Sequence, residues 1–468
     1  MSFDLSLTPA QHDLVARTHR FAAEVIRPAA PRHDADQEFP WEILEEAAQQ
    51  GFYNPLFYRD LIGDPSGLSL PLFMEELFWG CAGIGLSIVM PALALSAMAQ
   101  AATPEQLLRW APECFGDPGD LKLAALCITE PSGGSDVRNL QTTARRDGSD
   151  WIIDGDKVFI GNGGIANVHV VNATVDPDLG HRGQALFVVE GGTPGLELVR
   201  KLDKLGCRAS HTAELRFDAV RVPGDQLLGG EARLERNFEK AREAARSSDR
   251  RSATLGAFEQ TRPMVAAQAL GIARAALEFA RDYAVEREAF GGPVIDNQGV
   301  SFPLADIAAD LDAARLLTWR ASWMAANRVR FHHAEGSMSK LKASEVAVRA
   351  AEQAIQVCGG WGYIKDLPVE KWFRDAKLYT IFEGTSEIQR LVIGRALAAE
   401  TGEPPLHHGF PSDGPAFAGR VGRGAPGRIS AGMAGMKAVR NMPEPVRRAV
   451  MRAVAPREPP PRKRAGSS

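Results

Sequence analysis

The chain contains 468 residues, of which 45% are apolar and 24% are charged, and its formal net charge is −4. This composition is typical of an ordinary soluble enzyme and provides for roughly three domain-sized units of about 150 residues. The five cysteines are odd in number, scattered and without a C-x-x-C pair, which argues against a disulfide framework and a zinc site and indicates a reducing compartment. Residues 1–30 carry charges and no apolar core, which argues against a secretory signal, so we expect a cytoplasmic protein.

Residues 1–118 place apolar side chains at helical spacing and predict an N-terminal helical domain. The stretch from Leu77 to Ala102 contains no charged residue and is long enough to cross a bilayer of about 30 Å as a helix. Three glycines and Pro91 interrupt it. We therefore predict two packed core helices joined near Pro91 rather than a membrane span.

Residues 119–230 change to short segments rich in Val, Ile and Phe, separated by turn residues, and predict a β domain. The predicted strands are Leu123–Thr129, Leu140–Arg145, Trp151–Ile160, Asn167–Val175, Gln184–Glu190, Leu196–Lys201 and Ala213–Val222. Asp154-Gly155 predicts a hairpin turn. The letters G-x-G-x-x-A from Gly161 to Ala166 imitate a dinucleotide-binding fingerprint, but that fingerprint needs a following helix, and a strand is predicted here.

Residues 231–400 return to helical spacing and predict a helical bundle, with Pro263 in the first turn of a helix from about Thr261. Before that helix, the charged segment 233–251 has the composition of an inserted, exposed helix. Residues 401–468 are rich in Gly and Pro, contain twelve basic and four acidic residues, and predict a flexible basic tail that is largely disordered. An alternative for part of this tail is a short basic amphipathic helix in weak contact with an anionic membrane or a partner.

A single carboxylate precedes a predicted helix start in the segment Ile381–Arg390. Ser386 and Gln389 have the spacing of a capping box, and apolar residues at helical spacing follow them. Glu383 is then expected to face unpaired backbone N–H groups, beside Gly384, which permits close approach of a ligand. From the spacing alone, this residue is either a surface acid or a catalytic one.

Six segments in chain order resemble those of acyl-CoA dehydrogenases. They are Thr129 to Asp136, Gly161 to Gly164, Thr261-Arg262-Pro263, Arg287 to Gly291, Gln356 to Gly360, and Arg374 to Lys377 leading into Glu383 to Arg390. The resemblance covers about Thr8 to Leu397. It implies an α+β fold with an N-terminal helical domain (1–118), a central antiparallel β domain (119–230), a C-terminal four-helix-bundle-type domain (231–400) and the flexible basic tail (401–468).

The resemblance also implies an activity in fatty acid and lipid metabolism: FAD-dependent α,β-dehydrogenation of an acyl-CoA thioester to the 2-enoyl-CoA. Glu383 is the implied base for the α-proton, while hydride passes from the β-carbon to flavin N5. Removal of water by the substrate should raise the pKa of Glu383, which makes a carboxylate competent as a base near neutrality. Threonine at position 261 together with Glu383 resembles the short- and medium-chain placement of the base, with Glu259 as the reserve candidate.

The same resemblance assigns residues to the cofactor and the substrate, and it implies no metal ligand. The residues implied to border the isoalloxazine ring are Ile128, Thr129, Gly134, Ser135, Phe159 and Gly161. Those implied to hold the rest of FAD, some of them from a neighbouring subunit, are Arg287, Phe290, Gln298, Gln356, Gly360, Thr385 and Glu387. Those implied to contact acyl-CoA are Ser135, Glu259, Arg262 and Gly384. A shared site implies a homodimer or homotetramer, and an electron-transferring flavoprotein is the expected electron acceptor.

Two other classes of function stay open at this point. An acyl-CoA oxidase has the same base and flavin but passes the electrons to O2. A non-catalytic binding protein of this fold is the more distant alternative, and no specific nucleic-acid binding is expected even though the tail is basic. The segment 233–251 either shapes the entrance for CoA or is a plain solvated face.

Overall fold

The computed structural model of the protein describes residues 6–137, 139–246 and 261–399. Its first part is helical. The helices are α1 (Pro9–Phe21), α2 (Arg27–Asp36), α3 (Trp41–Gln49), α4 (Pro55–Gly63), α5 (Ser69–Gly80), α6 (Ala82–Ala101) and α7 (Pro104–Trp110), with a π-helical turn at Ala22–Ile26. A capping box starts α1, in which Thr8 and Gln11 exchange side-chain to backbone hydrogen bonds, and α7 starts in the same way.

The uncharged stretch forms two helices, as predicted, but they meet at Cys81 and not near Pro91. Cys81 has an extended backbone (φ −166°, ψ 126°), which ends α5 and separates it from α6. Pro91 lies inside α6, where burial of most of the helix outweighs the loss of one helical hydrogen bond. Among the described residues, α6 is the one helix long and apolar enough to cross a membrane, but 72% of that window is buried inside the protein.

A mixed seven-stranded sheet follows the short antiparallel pair of β1 (Gly116–Asp117) and β2 (Asp120–Leu121). Its strands are β3 (Ala124–Cys127), β4 (Thr143–Asp147), β5 (Asp150–Gly161), β6 (Val168–Thr174), β7 (Gln184–Glu190), β8 (Leu196–Lys201) and β9 (Thr212–Val222). The order is β3-β6-β4-β5-β9-β8, and β7 pairs with β6. Most pairs are antiparallel, whereas β6 pairs in parallel with β3 and, at one position, with β4. The seven predicted strands are confirmed, but the sheet is mixed and not purely antiparallel as the resemblance implied.

The hairpin predicted at Asp154-Gly155 is wrong, because both residues lie inside β5. The β4–β5 hairpin turns instead at Gly148-Ser149. Gly155 lies at a register shift between β5 and β9, with φ 148°, and a Cβ atom there would lie 2.6 Å from Thr142 Oγ1. Glycine is therefore required by a bulge and a close approach of two strands, not by a turn.

The segment after the G-x-G-x-x-A letters is a strand, as predicted, because β6 begins at Val168. Side chains hold the turn between the two strands: Asn162 Nδ2 donates to the Ala124 carbonyl oxygen at 3.2 Å, and His169 Nε2 accepts the Gly164 N–H at 3.1 Å. The glycines therefore form a strand-to-strand turn and not a dinucleotide-binding turn.

The C-terminal part is a helical bundle, as predicted. Its helices are α8 (Glu231–Arg246), α9 (Arg262–Glu286), α10 (Gln298–Ala326), α11 (Glu335–Cys358), α12 (Val369–Tyr379) and α13 (Ser386–Ala399), and the short hairpin of β10 (Glu288–Ala289) and β11 (Gly292–Pro293) connects α9 with α10. The helices α9, α10 and α11 pack on one another, and α9 also packs on α5. At that second contact Gly271 permits close approach, since a Cβ atom there would lie 2.4 Å from the Glu75 carbonyl oxygen.

The charged segment forms a helix, as predicted, but α8 is not a fully exposed face. Phe238 and Ala241 are buried. Arg233 donates to the carbonyl oxygens of the last turn of α6, and Arg242 pairs with Asp176 at 2.8 Å. Residues 247–251 and the predicted tail, 401–468, lie outside the described residues.

Candidate active site

Glu383 lies in the short connection between α12 and α13. Its backbone is left-handed (φ 52°), and Gly384 follows with φ 88°. A residue with a side chain adopts this conformation only where its surroundings enforce it. Phe382 packs against the buried ring of Tyr379, with 5.0 Å between ring centroids, and Glu383 itself is half-buried. The turn thus holds a carboxylate at a fixed place beside the bundle.

The start of α13 differs from the predicted capping box. The helix begins at Ser386, so Thr385 is the N-cap, and its Oγ1 accepts the Ile388 N–H at 3.2 Å. Ser386 Oγ is buried without a partner among the described residues. Gln389 Nε2 donates to both carbonyl oxygens of the preceding turn, at 3.2 and 2.8 Å. The capping-box prediction is wrong because Gln389 holds these carbonyls and not the N–H of the cap.

Two buried cations approach this turn from neighbouring helices. Lys340 on α11 is 0% exposed, and its Nζ donates to the Gly384 carbonyl oxygen at 2.7 Å. Arg262 at the start of α9 is 3% exposed and donates to Ser337 Oγ at 2.5 Å. Buried positive charge is costly unless an anion lies near it. Glu383 is the carboxylate on which both cations act.

Burial and the two cations have opposite effects on Glu383. Burial raises the pKa of its carboxyl above the ordinary value, and Lys340 and Arg262 oppose that rise. Burial also lowers the pKa of Lys340 to about 8, which Glu383 opposes. The Glu383 carboxylate therefore binds a proton more tightly than an exposed glutamate does, while the two cations favour its ionised form. A raised pKa suits a base that works near neutral pH.

Residues Ile128 and Thr129, predicted to border the flavin, are tied firmly to β5. Lys157 and Glu130 form a buried ion pair of 2.7 Å, and Lys157 Nζ also donates to the Ile128 carbonyl oxygen at 3.0 Å. The Val158 N–H donates to the Thr129 carbonyl oxygen at 2.9 Å. The backbone of this segment is thus fixed from inside the protein.

The other candidate flavin residues of the β domain leave an uncovered surface. Gly134 and Ser135 are exposed, and Phe159 is 68% exposed with a left-handed backbone (φ 60°). At Gly161, a Cβ atom would lie 2.7 Å from the Met90 Cε on α6, so a side chain there requires that Met90 move. An uncovered aromatic ring beside exposed backbone suits the face of a planar ring system such as isoalloxazine.

The candidate residues for the rest of FAD fall into two groups. Arg287, Phe290, Gln298, Gln356 and Gly360 are all exposed, and Phe290, in the β10–β11 turn, is 98% exposed. A phenylalanine so exposed has few contacts within its own chain. It is the kind of side chain that a neighbouring surface covers.

Thr385 and Glu387 instead border a cavity of about 580 Å³ between α11, α12 and the start of α13. The residues that line it are Glu345, Val348, Arg349, Glu352, Lys377, Thr380, Ile381, Thr385, Ser386, Glu387 and Arg390. Six of these carry charge, three of each sign, and the cavity borders the N-terminus of α13. Such a cavity suits a polar ligand.

Three sequence profiles of one family match the chain in order: the acyl-CoA dehydrogenase N-terminal domain at residues 8–117, the middle domain at 125–220 and the C-terminal domain at 251–398. The mitochondrial short-chain specific acyl-CoA dehydrogenase of Bos taurus is 40% identical over 82% of this chain and 89% of its own length. The chain belongs to the acyl-CoA dehydrogenase family. The acyl-CoA dehydrogenase of Bacillus subtilis is 38% identical over 81% of this chain and 96% of its own length.

Solved structures agree with this assignment. Butyryl-CoA dehydrogenase from Megasphaera elsdenii matches with a TM-score of 0.73 and 32% identity, over 84% of this chain and 100% of its own. A chain from the structure described as the electron transferring flavoprotein of Acidaminococcus fermentans also matches with a TM-score of 0.73 and 32% identity, over 84% of this chain and 99% of its own. The predicted α+β fold of acyl-CoA dehydrogenases is therefore confirmed.

Family membership also confirms the predicted class of enzyme. The protein is an oxidoreductase, a flavoprotein of fatty acid metabolism that dehydrogenates acyl-CoA. The oxidase alternative is not favoured, because these relatives are dehydrogenases.

The predicted substrate-binding residues have different positions. Gly384 lies in the turn with Glu383, whereas Ser135 is on the exposed loop of the β domain. Arg262 is buried next to the Glu383 turn, and its contact with CoA stays a prediction. Glu259 lies outside the described residues.

The sequence reasoning missed Lys340, which contacts the turn directly. A signal for it does exist in the sequence. Lys340 is three and seven residues before Ala343 and Ala347, and these positions form the buried stripe of α11. A lysine on a stripe of small buried residues is unusual and indicates a specific partner.

Proposed function

We propose that Glu383 is the base that removes the α-proton of an acyl-CoA thioester in this protein. The observation that carries the proposal is a carboxylate in an enforced left-handed turn, with its pKa raised by burial and two buried cations acting on it. Bound FAD supplies an acceptor for the β-hydrogen and its electron pair. The α and β C–H bonds break, a C=C bond forms between the two carbons, and the product is the 2-enoyl-CoA.

The turn itself contributes a second group. Within the described part of the chain, no hydrogen bond occupies the Glu383 N–H. An N–H next to the base would donate to the thioester oxygen, on which negative charge develops as the α-proton leaves. Entry of an apolar acyl chain would also remove water from the carboxylate and raise its pKa further.

We propose FAD as the cofactor, held by two sets of residues. Ile128, Thr129, Gly134, Ser135, Phe159 and Gly161 would border the ring, and Thr385 and Glu387 would contact the polar part. The exposure of Arg287, Phe290, Gln298, Gln356 and Gly360 supports a role toward the FAD of a neighbouring subunit, in a homodimer or homotetramer. Size-exclusion chromatography with light scattering tests this, and a stable monomer that retains FAD would contradict it.

Short-chain acyl-CoA is the proposed substrate, because the similar proteins include short-chain and butyryl-CoA dehydrogenases. An electron-transferring flavoprotein is the proposed acceptor, and the cytoplasm is the proposed location. Anaerobic bleaching of the flavin by acyl-CoA of increasing chain length tests the substrate. Peroxide formed in air with the preferred acyl-CoA would instead support an oxidase.

Substitution of the base tests the central proposal. Glu383→Gln keeps the size of the side chain but removes its basicity, so the variant should retain FAD and lose nearly all bleaching by acyl-CoA. Glu197→Gln, on the exposed strand β8, is the matched control and should bleach as the parent does. Bleaching of Glu383→Gln at the parent rate would show that another group takes the proton.

A further inference from the structure

The turn that carries Glu383 is held by a buried lysine. Lys340 Nζ and Gln389 Nε2 both donate to the Gly384 carbonyl oxygen, at 2.7 and 2.8 Å, from two different helices. The peptide between Gly384 and Thr385 is thus fixed from both sides. This helps to explain how Glu383 keeps a left-handed conformation, which is costly for a residue with a side chain.

Hydrogen bonding alone does not account for a lysine at this position. Gln389 already supplies a neutral donor to the same oxygen, and burial of an ammonium group costs far more than burial of an amide. What Lys340 adds is charge. Within the described residues its ammonium donates to a main-chain carbonyl and to no carboxylate, so its charge is not neutralised by a contacting partner.

The charged groups around the base lie on three helices. Lys340 on α11 and Arg262 on α9 act on Glu383, and Glu387 on α13 acts on Lys340. Glu387 is exposed, so solvent screens it more than the two buried cations. The net field at the Glu383 carboxylate is therefore positive.

We propose that Lys340 is a positioning residue for Glu383: its ammonium fixes the Gly384 carbonyl and so the turn, and its charge stabilises the ionised carboxylate. The inference rests on the proposed role of Glu383 as the base. It assigns to Lys340 no contact with substrate or flavin.

The sign of the expected pH effect follows from the charge. A base acts when it is deprotonated, so kcat/KM rises as the pH passes through the pKa of Glu383. Without the Lys340 charge, only Arg262 opposes the effect of burial, so the pKa of Glu383 increases. The acid limb of the kcat/KM profile, where activity rises with pH, then moves to higher pH. Burial lowers the pKa of Lys340 to about 8, so its charge is present below that pH. The difference between the variants is therefore expected in that range of pH.

Three substitutions separate charge from hydrogen bonding. Lys340→Met removes both, Lys340→Gln can retain a donor without charge, and Lys340→Arg retains the charge. Lys342→Met is the matched control, since Lys342 lies on the same helix and pairs with Asp310 at 2.6 Å near the surface. Each holoenzyme is compared for FAD content, thermal unfolding and the pH profile of kcat/KM.

The acid limb of Lys340→Met and Lys340→Gln should move up by about 1 pH unit, with activity below the limb reduced about tenfold. Lys340→Met should lose further activity at all pH values, because the turn is also loosened. The acid limb of Lys340→Arg and Lys342→Met should stay where it is in the parent. Should Lys340→Met not fold, the glutamine and arginine variants decide the question.

An unshifted acid limb in Lys340→Gln, with FAD content and rate as in the parent, would overturn the inference and leave Lys340 as a core residue. A shift of the same size in Lys340→Arg would overturn the role of charge. Failure of the proposed function gives a different result. An active Glu383→Gln variant refutes the role of Glu383 as the base, whatever the Lys340 variants show. An inactive Glu383→Gln with unshifted Lys340 variants refutes only the present inference.

Discussion

Lys157→Met tests how the candidate flavin surface is held in place. Lys157 and Glu130 form an ion pair with side chains 0% and 2% exposed, and the carboxylate of Glu130 also accepts the N–H groups of Gln141 and Thr142. The ammonium further donates to the Ile128 carbonyl oxygen. Methionine fills the same space but leaves the Glu130 carboxylate buried without its cation.

The magnitude follows from that uncompensated charge. Removal of one partner of a buried pair costs about 3–5 kcal/mol, because the remaining ion has lost both water and its partner. The loss should lower the free energy of unfolding by a large fraction of the total for a typical protein. FAD content should also fall, since residues 128–130 lose a tie to β5.

Urea unfolding of the holoenzyme and of FAD-stripped protein measures both effects. Arg216→Met is the control, because Arg216 on β9 pairs with Asp156, the neighbour of Lys157 on β5, but with 54% and 42% of their side chains exposed. Solvent screens such a pair, so this variant should unfold close to the parent. Equal, small losses in both variants would refute the reasoning that burial makes the Lys157 pair important.

Three further predictions concern the bulge, the helix cap and the thiols. Gly155→Ala should destabilise the protein more than Gly148→Ala, because a Cβ atom meets Thr142 at the first position and open space at the second; equal losses in urea unfolding would contradict this. Thr385→Ala should lower the free energy of unfolding by about 1 kcal/mol, and Ser386→Ala should lower it by less. A larger loss for Ser386→Ala would instead support the predicted capping box. The five cysteines are free and buried, so a thiol reagent at pH 8 should react only after unfolding, and rapid reaction of the native protein would contradict the packing.

The fold was largely predictable because its strands and bundle helices carry strong local patterns. Most strands of the sheet contain Val, Ile or Phe and lie between turn residues, and a periodic apolar face marks α9 from its first turn. The errors arose where a residue serves tertiary structure. Gly155 lies at a bulge close to Thr142, and Pro91 is tolerated because most of α6 is buried; neither contact can be predicted from neighbouring residues in the sequence.

The candidate site was predictable in part, for a similar reason. Glu383 stands in a contiguous motif, and the family assignment that the motif suggested is confirmed. Lys340 is 43 residues earlier in the chain and meets the turn only because α11 packs beside it. A contact between residues so far apart in the chain depends on how the helices pack. Local sequence patterns do not show which helices are neighbours.

Exchange of the α-hydrogen in D2O tests most directly whether Glu383 moves the α-proton. The holoenzyme and its Glu383→Gln variant, matched in FAD content, are incubated anaerobically with butyryl-CoA, and deuterium at the α-carbon is measured by mass spectrometry. The parent is predicted to incorporate deuterium, and the variant to leave the substrate unlabelled over the same time. Incorporation by the variant at the parent rate would contradict the assignment of Glu383 as the base.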